Sequence, residues 1–272
     1  MKRIMIFGLG YSASRLASRL SAGGWEVLST GRNGTFAFDD DGSVRLALAD
    51  ASHVLSSVPP GGEGLDPVLE HYGSALDGKW LGYLSSTGVY GDTGGAWVDE
   101  SAPIGTGRRT ARAEADLAWL DRGARVFRLP GIYGPGRSAL DRVHEGRAKR
   151  IDLPRQVFSR IHVDDIGSGV IAAIAHGQDA PAGPYNLADD APCSQNRVIE
   201  HASRLLGRTP PPLVSLKDAN LSPAAAAFYA ENRRVANGKA RRVLGWRPAY
   251  PTFREGLAAC LPAFTQQEEP GS

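Results

Sequence analysis

The stretch from Arg3 to Ala13 constrains this chain more than any other. A short apolar run, Ile4-Met5-Ile6-Phe7, ends in Gly8-Leu9-Gly10-Tyr11-Ser12-Ala13. A helical pattern follows, with Ala13, Leu16, Ala17 and Leu20 on one face and Gly23-Gly24 as its stop. A strand that turns through glycines into a helix is the setting in which a Gly-rich loop holds a dinucleotide. Gly8 permits the tight turn, and Gly10 presents no Cβ to a pyrophosphate. Ala13 lets the helix pack close to the strand. The backbone N–H groups of the first helical turn, at Tyr11, Ser12 and Ala13, face the phosphates. An ordinary strand-to-helix turn shares this local pattern, so the loop takes its meaning from the chain around it.

Trp25 to Thr30 reads as the second strand, closed by Gly31-Arg32-Asn33-Gly34. At this tip an acidic residue bonds the ribose 2′-hydroxyl of NAD, whereas an arginine accommodates the 2′-phosphate of NADP. Thr30-Gly31-Arg32 contains no acid, so Arg32 points to NADP, with NAD as the alternative; as a plain turn residue, Arg32 is solvated. Phe36–Asp39 is expected as a third strand, followed by a short helix to about Asp50. His53–Val58 is a fourth strand, and Ser57, Pro59 and the rest of Pro59-Pro60-Gly61-Gly62 fall where a loop lies beside the cofactor. Leu65–Leu76 has helical spacing with Leu65, Val68, Leu69 and Tyr72 on one face. Trp80–Leu84 is a fifth strand and runs into Ser85-Ser86-Thr87-Gly88-Val89-Tyr90-Gly91-Asp92. A helix over 109–120 turns Ala113, Leu117 and Leu120 inward. Arg125–Leu129 is the sixth strand, with a rigid loop from Pro130 to Gly136 behind it. Strands alternating with helices at this spacing predict an α/β, Rossmann-type doubly wound parallel sheet.

Beyond Gly136 the pattern becomes mostly helical. Ser138–Glu145 is a helix, and Arg147, Lys149, Arg150 and Arg155 form a basic connection. Asp164 or Asp165 is expected to cap a helix through Ala175. Tyr185-Asn186-Leu187 is a strand, and Ser194 caps a helix through Leu206. Ser222-Pro223 opens another helix, Asn237 caps a short one ended by Gly245, and the last runs from about Thr252 to Ala263 before a polar tail from Gln266. The division this predicts is a dinucleotide-binding domain over 1–136, completed by about 156–190. Residues 137–155 and 191–272 then make a small substrate-binding cap lobe.

Composition narrows the partners. With 272 residues, 42% hydrophobic and 22% charged, the chain can bury a sizeable core. Its 31 basic and 29 acidic residues nearly cancel, which argues against nucleic acid or a membrane surface and for a small-molecule substrate. Cys193 and Cys260 make neither a disulfide framework nor a metal site, as expected of a cytoplasmic protein. The apolar start is too short for a signal peptide, with Arg15 and Arg19 close behind, and no run approaches a membrane span.

Four segments occur in a telling order: Gly8-Leu9-Gly10-Tyr11-Ser12-Ala13, Ser86-Thr87-Gly88-Val89-Tyr90-Gly91, Arg128-Leu129-Pro130-Gly131-Ile132-Tyr133-Gly134-Pro135 and Ile161-His162-Val163-Asp164-Asp165. Together they resemble the extended short-chain dehydrogenase/reductase family, of the NAD(P)-dependent epimerase/dehydratase type, from Ile4 to about Leu257. The resemblance implies that Ser86, or its neighbour Thr87, supplies the hydroxyl that bonds the substrate oxygen. It also implies that Pro130 and Gly131 back the nicotinamide, and that helices 65–76 and 109–120 form a homodimer. The family's acid/base is a Tyr with a Lys four residues on, and here those positions fall on Thr106 and Thr110. None of the eight tyrosines has a Lys at that spacing. Gly8-x-Gly10-x-x-Ala13 likewise departs from the family's usual GxxGxxG. Tyr90 is a candidate replacement proton donor or else a packed ring with a satisfied hydroxyl; Tyr133 has the same two readings. Arg137, Arg150, Arg155 and Arg160 could hold a phosphorylated or nucleotide-linked substrate or else form a solvated surface, and Arg137 and Arg160 are taken as the substrate candidates. His162 reads as a strand histidine rather than a metal ligand. The expected function is an NADP-dependent oxidoreductase or epimerase-like enzyme; the alternative is a non-catalytic NADP(H)-binding sensor or scaffold.

Overall fold

The computed structural model describes residues 2–61, 65–107 and 110–268. Its first half alternates strictly: β1 (Arg3–Phe7), α1 (Tyr11–Ala22), β2 (Glu26–Ser29), α2 (Asp41–Asp50), β3 (His53–Ser56), α3 (Pro67–Tyr72), β4 (Trp80–Ser86), α4 (Thr110–Asp121) and β5 (Arg125–Leu129). Then come α5 (Ala139–His144), α6 (Val163–His176) and β6 (Gly183–Asn186). The chain closes with α7 (Gln195–Leu205), α8 (Pro223–Tyr229), α9 (Gly238–Leu244) and α10 (Phe253–Glu268). Among the described residues the main sheet has six parallel strands in the order β6-β5-β4-β3-β1-β2. The direction of winding reverses between β1 and β3, and ligands of such sheets bind outside the strand C-termini at that point. The fold is the Rossmann-type α/β architecture that the alternation predicts.

Burial along β1 shows why. Ile4 and Ile6 are fully buried with Leu16 and Leu20 of α1 and Ile166 and Val170 of α6. Met5 and Phe7 point to the other face, against Val44, Leu48, Tyr72 and Trp119. A strand covered on both faces shows no polar alternation, as its sequence does not. A further apolar cluster joins Leu140 and Val143 of α5, Val198 and Ile199 of α7, and Phe253 and Leu257 of α10. Three short parallel strand pairs connect the remainder: Gly131–Tyr133 with Arg160–His162, Trp97–Val98 with Arg234–Val235, and Arg150–Ile151 with Leu213–Val214. No helix among the described residues is long and apolar enough to cross a membrane.

Several expected elements differ. Phe36–Asp39 is not a strand: Phe36 makes one bridge to Thr30, and Asp40 then caps α2 by accepting the Ser43 N–H. Helix α3 starts only at Pro67, because the Asp66 carboxylate caps Val68 and Leu69, and a 3₁₀ turn replaces its predicted end. Leu65 therefore precedes the helix and is exposed. On α4 the buried positions are Ala113, Ala115, Asp116 and Trp119, and Leu117 faces outward. Neither Asp164 nor Asp165 caps α6. His162 does, its Nδ1 accepting the Asp164 N–H, while Asp165 accepts the N–H groups of Ala249 and Tyr250. The Asn237 side chain makes no cap bond and donates instead to Ala188 and Asp190. The last helix continues to Glu268, through the start of the predicted polar tail. Gly62, Arg108, Arg109 and the end of that tail lie outside the described residues.

Candidate functional site

The glycine loop leaves β1 at its C-terminal end, and the second strand holds it in place. Leu9 N–H donates to the Thr30 carbonyl at 2.8 Å, and Gly8 N–H donates to Thr30 Oγ1 at 3.2 Å. Thr30 thus fixes the loop from the position where an acidic residue would have met a ribose. Gly8 has φ +82°, and a Cβ there would stand 3.0 Å from Val58 Cγ2, so turn and packing both require glycine. Gly10 is different: a Cβ would meet no protein atom within 4 Å. Nothing in the protein forbids a side chain there, so the space it leaves open suits a ligand. Gly10 precedes α1 without a side-chain cap, and the helix's first turn carries no acidic residue to compete with an anion.

Three cavities follow from this loop along the ends of the strands. The first, about 580 Å³, is walled by Gly8, Gly10, Tyr11, Arg32, Ser57 and Pro59, together with Ser14, Gly31 and Asn33. Arg32 makes no ion pair or hydrogen bond among the described residues. The second, about 470 Å³, shares Tyr11 and Ser57 with the first and adds Ser12, Ser85, Ser86, Thr87, Pro130, Gly131 and Arg137. The third, about 490 Å³, shares Gly131, Ile132, Arg137 and Phe228 with the second and adds Tyr133 and Arg160. Gly8, Gly31, Ser57, Thr87 and Pro130, far apart in sequence, are brought together because each stands just past the end of a parallel strand. These walls fit a dinucleotide laid from the glycine loop toward Pro130.

Ala13 and Tyr90 are the candidates that line none of these cavities. Ala13 is buried in the α1 packing face. The Tyr90 hydroxyl donates to Asn186 Oδ1 at 2.8 Å and accepts from Arg128 Nη1 at 3.0 Å, and burial pushes its pKa up to about 12. Its ring is buried and its hydroxyl is bonded on both sides, an arrangement that matches the packed reading. Ser86 Oγ accepts the Gly88 N–H at 3.1 Å and donates to no acceptor among the described residues, which leaves its proton available to the cavity. Thr106 Oγ1 donates to the Tyr90 carbonyl at 3.2 Å and braces the 88–91 turn. The Tyr11 hydroxyl donates to the Pro135 carbonyl at 3.0 Å, linking the glycine loop to the loop after β5, and burial raises its pKa to about 12.

Tyr133 is buried, its hydroxyl near the Thr252 carbonyl at 3.5 Å, and burial raises its pKa far above the ordinary tyrosine value. The Arg160 guanidinium donates to the Phe158 and Cys193 carbonyls at 2.9 and 3.1 Å and to Gln195 Oε1 at 3.1 Å. It shapes the third cavity with its bonds already made. The described wall of the second cavity carries Arg112, Arg137 and Arg233 and no carboxylate. Arg233 and Phe228 escaped the sequence reading, since they reach the cleft from the cap segment with no local pattern to mark them.

No protein-family model matches the chain. Protein YeeZ of Escherichia coli K12 is 32% identical over 247 residues, covering 78% of this chain and 86% of YeeZ. A 3-diazoavenalumate denitrifying reductase from a Streptomyces species is 30% identical over 181 residues, or 59% of this chain; the match spans only 58% of that reductase. Among solved structures, a conserved protein of unknown function from Silicibacter pomeroyi DSS has a TM-score of 0.85 at 38% identity, covering 96% of this chain and 99% of that one. The dTDP-glucose 4,6-dehydratase of Bacillus anthracis Ames, in complex with NAD, has a TM-score of 0.76 at 17% identity, covering 98% of both chains. At that identity the likeness is one of fold.

Proposed function

We propose that this chain, which belongs to the extended short-chain dehydrogenase/reductase family of the NAD(P)-dependent epimerase/dehydratase type, is an NADP-dependent oxidoreductase acting on a polar, anionic substrate. The observation that carries this reading is the shared wall. One cavity is lined by Ser86, Thr87, Pro130, Gly131 and Arg137 and opens onto the glycine loop through Tyr11 and Ser57. The unpaired Arg32 at the far end supports the 2′-phosphate, and the relative that is a reductase supports hydride transfer as the reaction class. The nicotinamide, when bound, supplies the hydride.

The chain's own residues would do the rest. Ser86 donates its free hydroxyl proton to the substrate oxygen and orients it. Arg112 and Arg137 hold negative charge on the substrate; a guanidinium cannot relay a proton at neutral pH. Thr106 and Thr110 stand where the family has its Tyr and Lys, and aliphatic hydroxyls are too weakly acidic to replace that pair. This departure favours a second reading, a cofactor-binding sensor without turnover, because a fold does not imply a reaction.

Isotopically labelled NADPH, incubated with the protein and a panel of carbonyl compounds, aryl carboxylates and sugar nucleotides, separates the two. Label appearing in a product supports the oxidoreductase. Tight NADPH binding with no transfer across the panel supports the sensor, and binding of neither NADPH nor NADH would falsify both.

A further inference from the structure

Among the described residues, two cations of the third cavity, Arg137 and Arg142, have no hydrogen-bonded or ion-paired side-chain partner. Arg147 is ion-paired with Glu145, and Arg160 is engaged by the carbonyls described above. Lys149, in an adjoining cavity, donates to the Ala219 carbonyl. Arg137 lies with its guanidinium 5.7 Å from the centre of the Tyr11 ring, at the cofactor end. Arg142 lines both the third and the adjoining cavity, and its side chain makes no hydrogen bond or ion pair among the described residues. Although the residue as a whole is exposed, desolvation lowers its pKa and the charge of Arg160 adds to that, while Tyr229 and Asp141 pull the other way. An anion placed against Arg142 would favour the charged form and offset both effects.

Beside it stands an aromatic surface. Phe228 lines the second and third cavities and the adjoining one, and it is 40% exposed. Its other face is taken: the Phe158 ring stacks on it with centroids 4.4 Å apart and planes 12° apart. A ring held flat by a second ring, with its free face in a cleft, offers a platform for another planar group.

We propose that this is a carboxylate site and that the substrate is an aryl carboxylate, its ring on Phe228 and its carboxylate on Arg142. The proposal deepens the oxidoreductase reading and rests on it for the position of the reacting end. A single guanidinium presents a two-pronged fork that matches one carboxylate. A nucleoside diphosphate suits the site less well, since Asp141 and Glu145 stand on the same wall and its further charges would face them.

The test is calorimetric titration of the full chain, both cofactor-free and saturated with NADPH, with trans-cinnamate, neutral cinnamamide and UDP. Cinnamate is expected to bind about tenfold or more tightly than the amide. Arg142→Gln should weaken cinnamate roughly tenfold to a hundredfold while leaving cinnamamide and NADPH affinity unchanged. Phe228→Leu should weaken cinnamate and cinnamamide alike. No cinnamate binding at millimolar concentration, or binding indifferent to Arg142→Gln, overturns the site. So does UDP binding more tightly than cinnamate with the same dependence on Arg142. If wild-type NADPH binding fails, the oxidoreductase reading falls, and the titration of the cofactor-free protein still decides the carboxylate site.

Discussion

Arg128 and Asp116 form a buried two-point ion pair, with Nη2 2.7 Å from Oδ1 and Nε donating to Oδ2 at 3.1 Å. Ser85 Oγ donates to the same carboxylate at 2.6 Å, and Arg128 passes a third hydrogen bond to the Tyr90 hydroxyl. The group ties α4 to β4 and β5 and, through Asn186, to β6, beside the turn that carries Ser86. Asp116→Ala leaves a guanidinium buried without its partner and is expected to cost about 3–5 kcal/mol in urea unfolding. Tyr90→Phe removes two neutral or singly charged hydrogen bonds and should cost about 1–3 kcal/mol, with NADPH affinity unchanged. Loss of label transfer in a folded Tyr90→Phe protein would instead make Tyr90 the proton donor.

His162 sets a pH dependence. It is 1% exposed, ringed by Tyr133 and Tyr250, and burial lowers its pKa to about 4 even though Asp164 pulls the other way. The unfolded chain binds that proton more readily, so the stability due to the neutral ring is complete above about pH 6.5. It is lost as pH falls toward 4, by up to roughly 3 kcal/mol. Asp189 acts in the opposite sense: burial pushes its carboxyl up to about 7, so its contribution fades as pH rises toward that value. His162→Asn keeps a cap acceptor for the Asp164 N–H and removes the titration. The stability difference between pH 7 and pH 4.5 should shrink in that variant; an unchanged difference assigns the slope elsewhere.

What was legible in the sequence was what local geometry decides. Gly8 and Gly10 announce themselves because a tight turn and an open approach each need a missing side chain, and β1 is readable because its four apolar residues serve two faces at once. The Phe36–Asp39 stretch misled because Phe38 is packed beside Phe7 and Tyr72 without belonging to a ladder, Phe36 makes a single bridge, and Asp40 ends any extension by capping α2. Leu117 misled because Trp119 and Ala115 take the inward face of α4. The third cavity was the least legible part. Arg160 and Arg142 are equally basic as letters, and only their partners distinguish a guanidinium bonded to carbonyls from one left free.

The proposed preference for NADP rests on Arg32. Its guanidinium is unpaired on the wall of the first cavity, with Asn33 beside it and no carboxylate among the described residues of that wall. Arg32→Glu should weaken NADPH at least tenfold and leave NADH equal or tighter, since the new carboxylate can accept from a ribose hydroxyl but repels a phosphate. Fluorescence titration with both cofactors measures the ratio. Equal losses for the two would remove Arg32 from the 2′-phosphate role.

The outward face of α3 and α4 bears on assembly. The resemblance places the family's dimer on these helices, which are pinned to each other where Trp119 Nε1 donates to Asp66 Oδ2 at 2.9 Å. Leu65 is 54% exposed and Leu117 48%, and large apolar side chains left out on neighbouring elements suit a self-complementary two-fold contact. We expect a homodimer at micromolar concentration by light scattering. Leu117→Asp should convert it to a monomer, because it would bury a carboxylate in an apolar contact, while the melting temperature of the separated chain and its NADPH affinity stay close to wild type. A wild-type protein that scatters as a monomer at that concentration ends the dimer proposal, and a dimer indifferent to Leu117→Asp moves the interface to another face.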